Sequence, residues 1–259
     1  YPPARIGQII RTLTPAVVLR CGEASVDTNG PLVISVPETT AEALQAFPCH
    51  CVALPSVSPE QPAYITFTSG STGEPKGIVT HHAPLVHFID WHVRQHGFTQ
   101  ADTFSLLSGL GHDPVYRDVF TPLSIGATLA CPAQSTLTDP ARLAGWIHQH
   151  GVSVIHLTPP LGKLIETGAH LNGQLLEHLR YLFWGGDALS PALYQHIRAI
   201  APNAVNVNFY GTTETPQAMA FHTLDPDSDS TGALGQRHRQ CAAAGGRLDQ
   251  PVGQRGRNR

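Results

Sequence analysis

Hydrophobic and polar positions fall into short runs that switch repeatedly between a two-residue and a 3.6-residue period. Leu13 to Leu19 and Pro31 to Val36 read as short strands, and a Pro/Ser-rich connector over 54 to 62 leads into an alternating strand from Ala63 to Thr68. A helix follows Ile78 and Val79: Pro84 suits a helix start, Leu85, Phe88, Ile89 and Val93 form one apolar face, and Gly97 stops it. The cycle continues with Phe104 to Leu107 (strand), Val115 to Leu123 (helix), Ala127 to Ala130 (strand), Pro140 to His150 (helix, closed by Gly151) and Ser153 to Leu157 (strand). Tyr181 to Trp184, Pro191 to Ala201 and Val205 to Phe209 repeat strand, helix and strand. This alternation predicts an α/β fold, with largely parallel sheets flanked by helices and ligands gathered at the carboxyl ends of the strands.

From Asp225 onward the pattern stops. The segment lacks aromatics, has few aliphatics and holds six of the chain's sixteen lysine and arginine residues. It is expected to be a disordered tail, with residues 1 to 224 forming the folded part. A basic arm for nucleic acid is disfavoured, because the arginines lie among acids and have no interleaved aromatics.

Composition narrows the partner. The chain has 259 residues, 41% of them hydrophobic, and a net charge of -3. That is enough for a sizeable core, with no broad cationic field for nucleic acid or anionic lipid and no apolar run long enough to span a membrane. Five scattered cysteines make no disulfide framework, and no signal peptide opens the chain, so a reducing cytoplasm is expected. Among fifteen histidines no pair shows metal-ligand spacing beside carboxylates or thiols, and Cys49-His50-Cys51 has no second pair to complete a site. His81, His82 and His87, in "THHAPLVHF", read as the start of the helix after the glycine-rich loop and carry no proposed role.

The chemistry concentrates where the strand at 63 to 68 ends. Thr68-Ser69-Gly70-Ser71-Thr72-Gly73-Glu74-Pro75-Lys76-Gly77 has the composition of an anion cradle. Glycines let backbone N–H groups converge on phosphate oxygens, hydroxyls add donors, and Lys76, one of two lysines in the chain, adds charge. It is not a Walker loop. Counted from Gly70, the second glycine would fall on Pro75, and Gly77 after Lys76 has no hydroxyl for a metal.

"FTSGSTGEPKG" resembles the phosphate-loop signature of adenylate-forming enzymes, which include acyl-CoA synthetases, luciferases and the adenylation domains of nonribosomal peptide synthetases. "YPPARI" at 1 to 6, "FWGGDALS" at 183 to 190 and "NFYGTTET" at 208 to 215 are similar to further elements of that family, in the same order. The resemblance implies the large N-terminal subdomain of the adenylate-forming fold. It also implies attack of a carboxylate on the α-phosphorus of ATP, giving an acyl-adenylate and pyrophosphate, with Mg²⁺ and positioned donors offsetting the charge.

On that resemblance Thr68, Ser69, Gly70, Ser71, Thr72, Gly73 and Lys76 would hold the β- and γ-phosphates. Gly185, Gly186, Asp187, Asn208, Tyr210, Gly211 and Thr212 would surround the nucleotide, Tyr210 stacking on adenine. Thr213 would bond the α-phosphate and Glu214 would ligate Mg²⁺, although a carboxylate at a helix N-terminus is the plainer alternative for Glu214.

"GLGHDPVYRDVFTPL" resembles the amino-acid pocket element. Asp113 would meet the substrate's α-ammonium group and His112 would gate the reacting carboxylate, while Pro114, Arg117, His156, Phe183, Gly185, Phe209 and Gln217 would line the pocket. A guanidinium facing a pocket calls for a second carboxylate as its bidentate partner, unless Arg117 bridges to Asp113 or Asp118 instead. With "NFYGTTETPQA", this stretch is similar to aminoadipate reductases, so an acidic amino acid such as 2-aminoadipate is the expected substrate. A phosphopantetheine carrier domain would be the acyl acceptor in the parent enzyme.

Neither a ribose-binding Tyr-x-Thr-Gly-Asp stretch nor a lid domain with a catalytic lysine follows Thr223, so the chain is expected to be a fragment with impaired turnover. A non-catalytic nucleotide-binding remnant and an acyl-CoA synthetase-like ligase are the alternatives.

Overall fold

A computed structural model describes residues 2–21, 31–36, 55–69 and 75–225. Cys49-His50-Cys51, Gly70 to Gly73 and the segment after Asp225 lie outside these residues. The chain divides into two compact units, Tyr1–Gln61 with Phe67–Ile78, and Pro62–Thr66 with Val79–Arg259.

In the smaller unit, Pro3–Leu13 is a helix, α1, that ends on Thr14 in the left-handed region. The strand expected from Leu13 therefore starts later, as β1 (Val17–Cys21). A proline at the first helical position costs no hydrogen bond there, and the apolar spacing of Ile6, Ile9, Ile10 and Leu13 is helical. β1 pairs in parallel with β2 (Leu32–Val36), Val17 opposite Leu32. β3 (Pro62–Ser69) pairs with β4 (Pro75–His81), and this pair contributes to both units.

The larger unit is built on a six-stranded sheet. After α2 (His82–His96) come β5 (Thr103–Ser105), α3 (Pro114–Ser124), β6 (Thr128–Ala130), α4 (Gln134–Leu137) and α5 (Pro140–Gln149). Then follow β7 (Val154–Leu157), α6 (Pro159–Asn172), β8 (Tyr181–Trp184), α7 (Pro191–Ile200), β9 (Val205–Thr212) and β10 (Thr215–Thr223). The strand order is β10-β9-β8-β7-β5-β6, parallel throughout except that β10 runs antiparallel to β9. Gly97 closes α2 in the left-handed conformation, as its position after the apolar face predicts.

Strand alternation splits the core in two. Ile155, Leu157, Leu182 and Trp184 join the cluster that includes Leu143, Ile147 and Ile165 of α5 and α6. Val154, Phe183, Val207 and Phe209 join Phe88 of α2 in the other. Helix α6 approaches so closely that a Cβ on Gly162 would lie 2.5 Å from the Trp184 ring.

A charge knot ties α6 to α7. The Glu166 carboxylate is buried and lies 2.6 Å from Lys163 Nζ, 3.2 Å from His170 Nδ1 and 3.5 Å from His196 Nδ1. Burial pushes its pKa up, but the Lys163 hydrogen bond and the charges of Lys163, His170 and His196 outweigh this and hold it below the usual range. A depressed carboxylate pKa contributes stability that is present above the unfolded value and disappears as pH falls through the folded one. Glu166→Gln is therefore expected to melt below the parent at neutral pH, with the gap closing in acid. Thermal unfolding across pH 3 to 7, range chosen around the ordinary carboxylate value of about 4.3, checks this. A gap independent of pH would remove the electrostatic account.

Candidate functional site

The carboxyl ends of β7, β8 and β9 open onto a cavity of about 720 Å³ in the larger unit. Parallel strands direct their following loops to this edge, so Thr158, Gly185, Gly186 and Gly211 to Thr213 come together there. The start of α3 closes one side with His112, Asp113, Pro114 and Arg117, while Leu161 and Leu164 of α6 supply an apolar wall.

Of the residues assigned by resemblance to the acid pocket, Asp113, Pro114, Arg117, His156, Gly185, Phe209 and Gln217 line this one cavity. Phe183 is not among the lining residues. It is fully buried in the aromatic cluster, its ring stacked against that of His156 at 4.8 Å. Of the nucleotide set, Gly185, Gly186, Gly211, Thr212 and Thr213 also face the cavity. Asp187, Asn208, Tyr210 and Glu214 do not line it. Asp187 is exposed and accepts from Ala188 N, Tyr210 is 54% exposed, and Glu214 is exposed. Thr68 and Ser69 end β3 and Lys76 lies exposed near the start of β4, all three in the smaller unit.

Glu214 is followed directly by β10, not by a helix. Thr213 and Glu214 form the turn between β9 and β10, so the helix-terminus alternative for this carboxylate is removed. Glu214 makes no ion pair with a described residue, and no group of three or more His, Cys, Asp or Glu among the described residues could hold a metal. A single free carboxylate fits Mg²⁺, which is commonly held by one or two carboxylates plus substrate phosphates, and does not fit a metal needing a full protein cage.

Backbone strain shapes the polar end. The register of β10 against β9 shifts between Thr215 and Ala220, and within that bulge Gln217 takes φ 74. A non-glycine residue in this region is uncommon, and here it serves two contacts. The Gln217 carbonyl accepts from Arg117 Nη1 at 3.1 Å, and its Nε2 donates to the Asp113 carbonyl at 3.1 Å. Thr213 Oγ1 donates to Asp113 Oδ1 at 3.3 Å, joining the β9–β10 turn to α3.

Arg117 is 8% exposed, with its guanidinium 5.7 Å from the centre of the Phe209 ring. Burial lowers its pKa against the opposing pull of Asp118 and Asp113. Its bridge to Asp118 is long, 3.8 Å from Nε. Asp118 is more closely engaged elsewhere, accepting from Ser108 Oγ at 2.5 Å and lying 2.9 Å from His156 Nδ1. The bridging alternative for Arg117 thus holds in part, and most of the guanidinium's donors remain for a ligand.

Sequence reasoning missed Ser108, Thr158, Leu161 and His92. His156 Nε2 lies 3.1 Å from His92 Nε2, and His92 is fully buried. Its signal was present: His92 and His96 continue the buried face begun by Leu85 and Phe88.

Comparison with known proteins bears on all of this. The family model described as AMP-binding enzyme matches residues 1–244. L-2-aminoadipate reductase of Saccharomyces cerevisiae is 38% identical over 178 residues, which is 69% of this chain and 13% of the reductase. Bacitracin synthase 3 of Bacillus licheniformis is 31% identical over 173 residues, 66% of this chain and 3% of that protein. A solved structure of the nonribosomal peptide synthetase FmoA3 in an AMPPNP-bound form superposes with a TM-score of 0.77 at 27% identity, covering 88% of this chain and 24% of that one. The chain thus spans a small part of each relative's length. Matched over nearly its whole length and folded like a synthetase domain, it belongs to the AMP-binding enzyme family.

Proposed function

We propose that the chain carries the acid- and nucleotide-binding part of an enzyme that activates an acidic amino acid, 2-aminoadipate or a near relative, as its acyl-adenylate. ATP supplies the adenylyl group and pyrophosphate leaves. The reading rests above all on Asp113 and Arg117 facing one cavity of about 720 Å³. Asp113 would take the α-ammonium group and Arg117 the distal carboxylate, so the substrate is held at both ends and its α-carboxylate is directed toward Thr213. Leu161 and Leu164 exclude water from the methylene chain between them. The 69% of the chain that matches the yeast aminoadipate reductase is consistent with this choice.

Glycines at 185, 186 and 211 let the nucleotide approach backbone. A Cβ at Gly211 would stand 3.1 Å from Ala218 Cα, a tight contact with the β10 backbone. Thr213 would bond the α-phosphate, and Lys76 with the glycine-rich loop would hold the β- and γ-phosphates. Mg²⁺ bound at Glu214 would neutralise phosphate charge, and a phosphopantetheine carrier domain of the parent enzyme would accept the acyl group.

Acid-dependent exchange of radiolabelled pyrophosphate into ATP tests the reading. 2-Aminoadipate is expected to support exchange at least about tenfold better than norleucine, which has the same chain without the second carboxylate, because a charged bidentate contact is worth about 1.5–3 kcal/mol. Equal rates with both acids would overturn the substrate assignment.

A further inference from the structure

Behind the cavity lies a row of titratable groups for which the adenylation chemistry has no use. Asp118 and His92 are both fully buried, neither lines the cavity, and His156 stands between them with both ring nitrogens engaged. A carboxylate oxygen offers only lone pairs, so His156 Nδ1, 2.9 Å from Asp118 Oδ1, carries the proton that faces it, in a close polar contact rather than an aligned hydrogen bond. Its Nε2 is then the acceptor, and His92 donates from Nε2 across 3.1 Å. His92 Nδ1 is left bare and has no hydrogen-bond partner among the described residues. It is an unfilled proton site inside the protein.

The charged neighbours decide what that site does. On α2, His96 donates from Nδ1 to the His92 carbonyl at 3.0 Å, and burial lowers its pKa to about 4. From β7 comes His156, and from α3 come Arg117 and Asp118, with Asp113 at the start of that helix. Strands β8 and β9 and the loop after α2 contribute only the rings of Phe183, Phe209 and Phe98, while Tyr181 of β8 touches His96. Burial, and after it the charge of Arg117, disfavours an imidazolium at His156, whereas Asp118 favours one. A carboxylate seated on Arg117 cancels that charge and leaves Asp118 and the newcomer as two buried anions against one guanidinium.

We propose that His92 and Asp118 determine specificity by coupling a proton to the second carboxylate: as it docks on Arg117, His92 Nδ1 takes one proton from solvent and His92 passes its Nε2 proton to His156. His156 becomes an imidazolium paired with Asp118, His92 stays neutral as the other tautomer, and Arg117 is released to the substrate. The inference rests on the diacid reading above.

Calorimetric titration of the full chain near pH 7, in two buffers of different ionisation enthalpy, measures the proton directly. L-2-Aminoadipate is expected to bind with uptake of roughly one proton, and its side-chain amide with none. His92→Phe, which suits the surrounding rings but offers His156 no acceptor, is expected to abolish the uptake and weaken the diacid about tenfold while leaving the amide unchanged. His92→Gln keeps a hydrogen-bonding side chain beside His156 Nε2 but has no second ring nitrogen to load, and is expected to lack the uptake as well. Diacid binding with no more uptake than the amide shows would overturn the proposal, as would uptake undiminished in His92→Phe. If that variant fails to fold, the parent and His92→Gln still decide: uptake absent from the parent, or undiminished in His92→Gln, overturns it. Failure of diacid and amide alike to bind would instead remove the acid-pocket reading, and this proposal with it.

Discussion

Arg117→Ala is expected to lower kcat/KM for 2-aminoadipate by about thirtyfold or more in acid-dependent pyrophosphate exchange, and to leave a neutral acid of the same length within a few-fold of the parent. Truncating one partner of a buried, hydrogen-bonded charge pair costs about 2–5 kcal/mol, and each 1.4 kcal/mol is a factor of ten. The guanidinium is buried against Phe209, so nothing mobile and solvated stands ready to replace it. Asp118 keeps its Ser108 hydrogen bond and its close polar contact with His156 after the truncation, which is why the fold is expected to survive. Far-ultraviolet circular dichroism and the melting temperature establish that survival separately. Equal losses on the diacid and on the neutral acid would assign Arg117 to packing alone.

Gly168→Ala is expected to be the most damaging glycine substitution in α6. A Cβ at this position would stand 1.8 Å from the Pro140 carbonyl oxygen, and Ala144 Cβ would be 3.0 Å away. Backbone cannot swing aside as a lysine tip can, so α5 and α6 would have to part. Overpacking typically costs about 1–3 kcal/mol, and an obstacle made of backbone puts this case at the top of that range. In a domain of this size, 1 kcal/mol corresponds to about 2–4 °C, so a fall in Tm of about 6–12 °C is expected. Gly145 on α5 provides the contrast. Its added Cβ would meet only Asn172 Nδ2 at 3.6 Å, an ordinary contact, and alanine there is expected to raise Tm slightly through helix propensity. Similar Tm values for the two variants would show that α5 and α6 are not locked at Pro140.

How far the fold could be read in advance depended on where each element finds its partners. Tyr181–Trp184 occupies the predicted span because four consecutive apolar residues bounded by Arg180 and the Gly185-Gly186 pair suit a strand covered on both faces. α2 ends at Gly97 as expected, since a left-handed cap needs little beyond the glycine itself. The opening helix was not anticipated, and the first strand was placed too early, from Leu13. The helix's apolar residues Ile9, Ile10 and Leu13 run into Val17, Val18 and Leu19, and no local feature separates the helical part from the extended part except the left-handed turn at Thr14. β10 was not anticipated at all, because the bulge around Gln217 breaks the two-residue period that would have announced it.

The same division runs through the candidate site. Resemblance of short motifs to the adenylate-forming family was enough to name Asp113, Arg117, His156 and the glycines at 185, 186 and 211, because such motifs specify residue types at short spacings. Their convergence on one cavity is a property of the strand order, which brings the ends of β7, β8 and β9 to a common edge. Phe183 was expected to line the pocket, yet strand alternation turns it into the core, one layer behind. Only the tertiary structure brings His92 to His156, 64 positions away, and pairs Asp118 with His156 more closely than with its neighbour Arg117. Hydrogen bonds and buried charges act over about 3 Å of space, whatever the separation along the chain; no pattern of nearby residues encodes them.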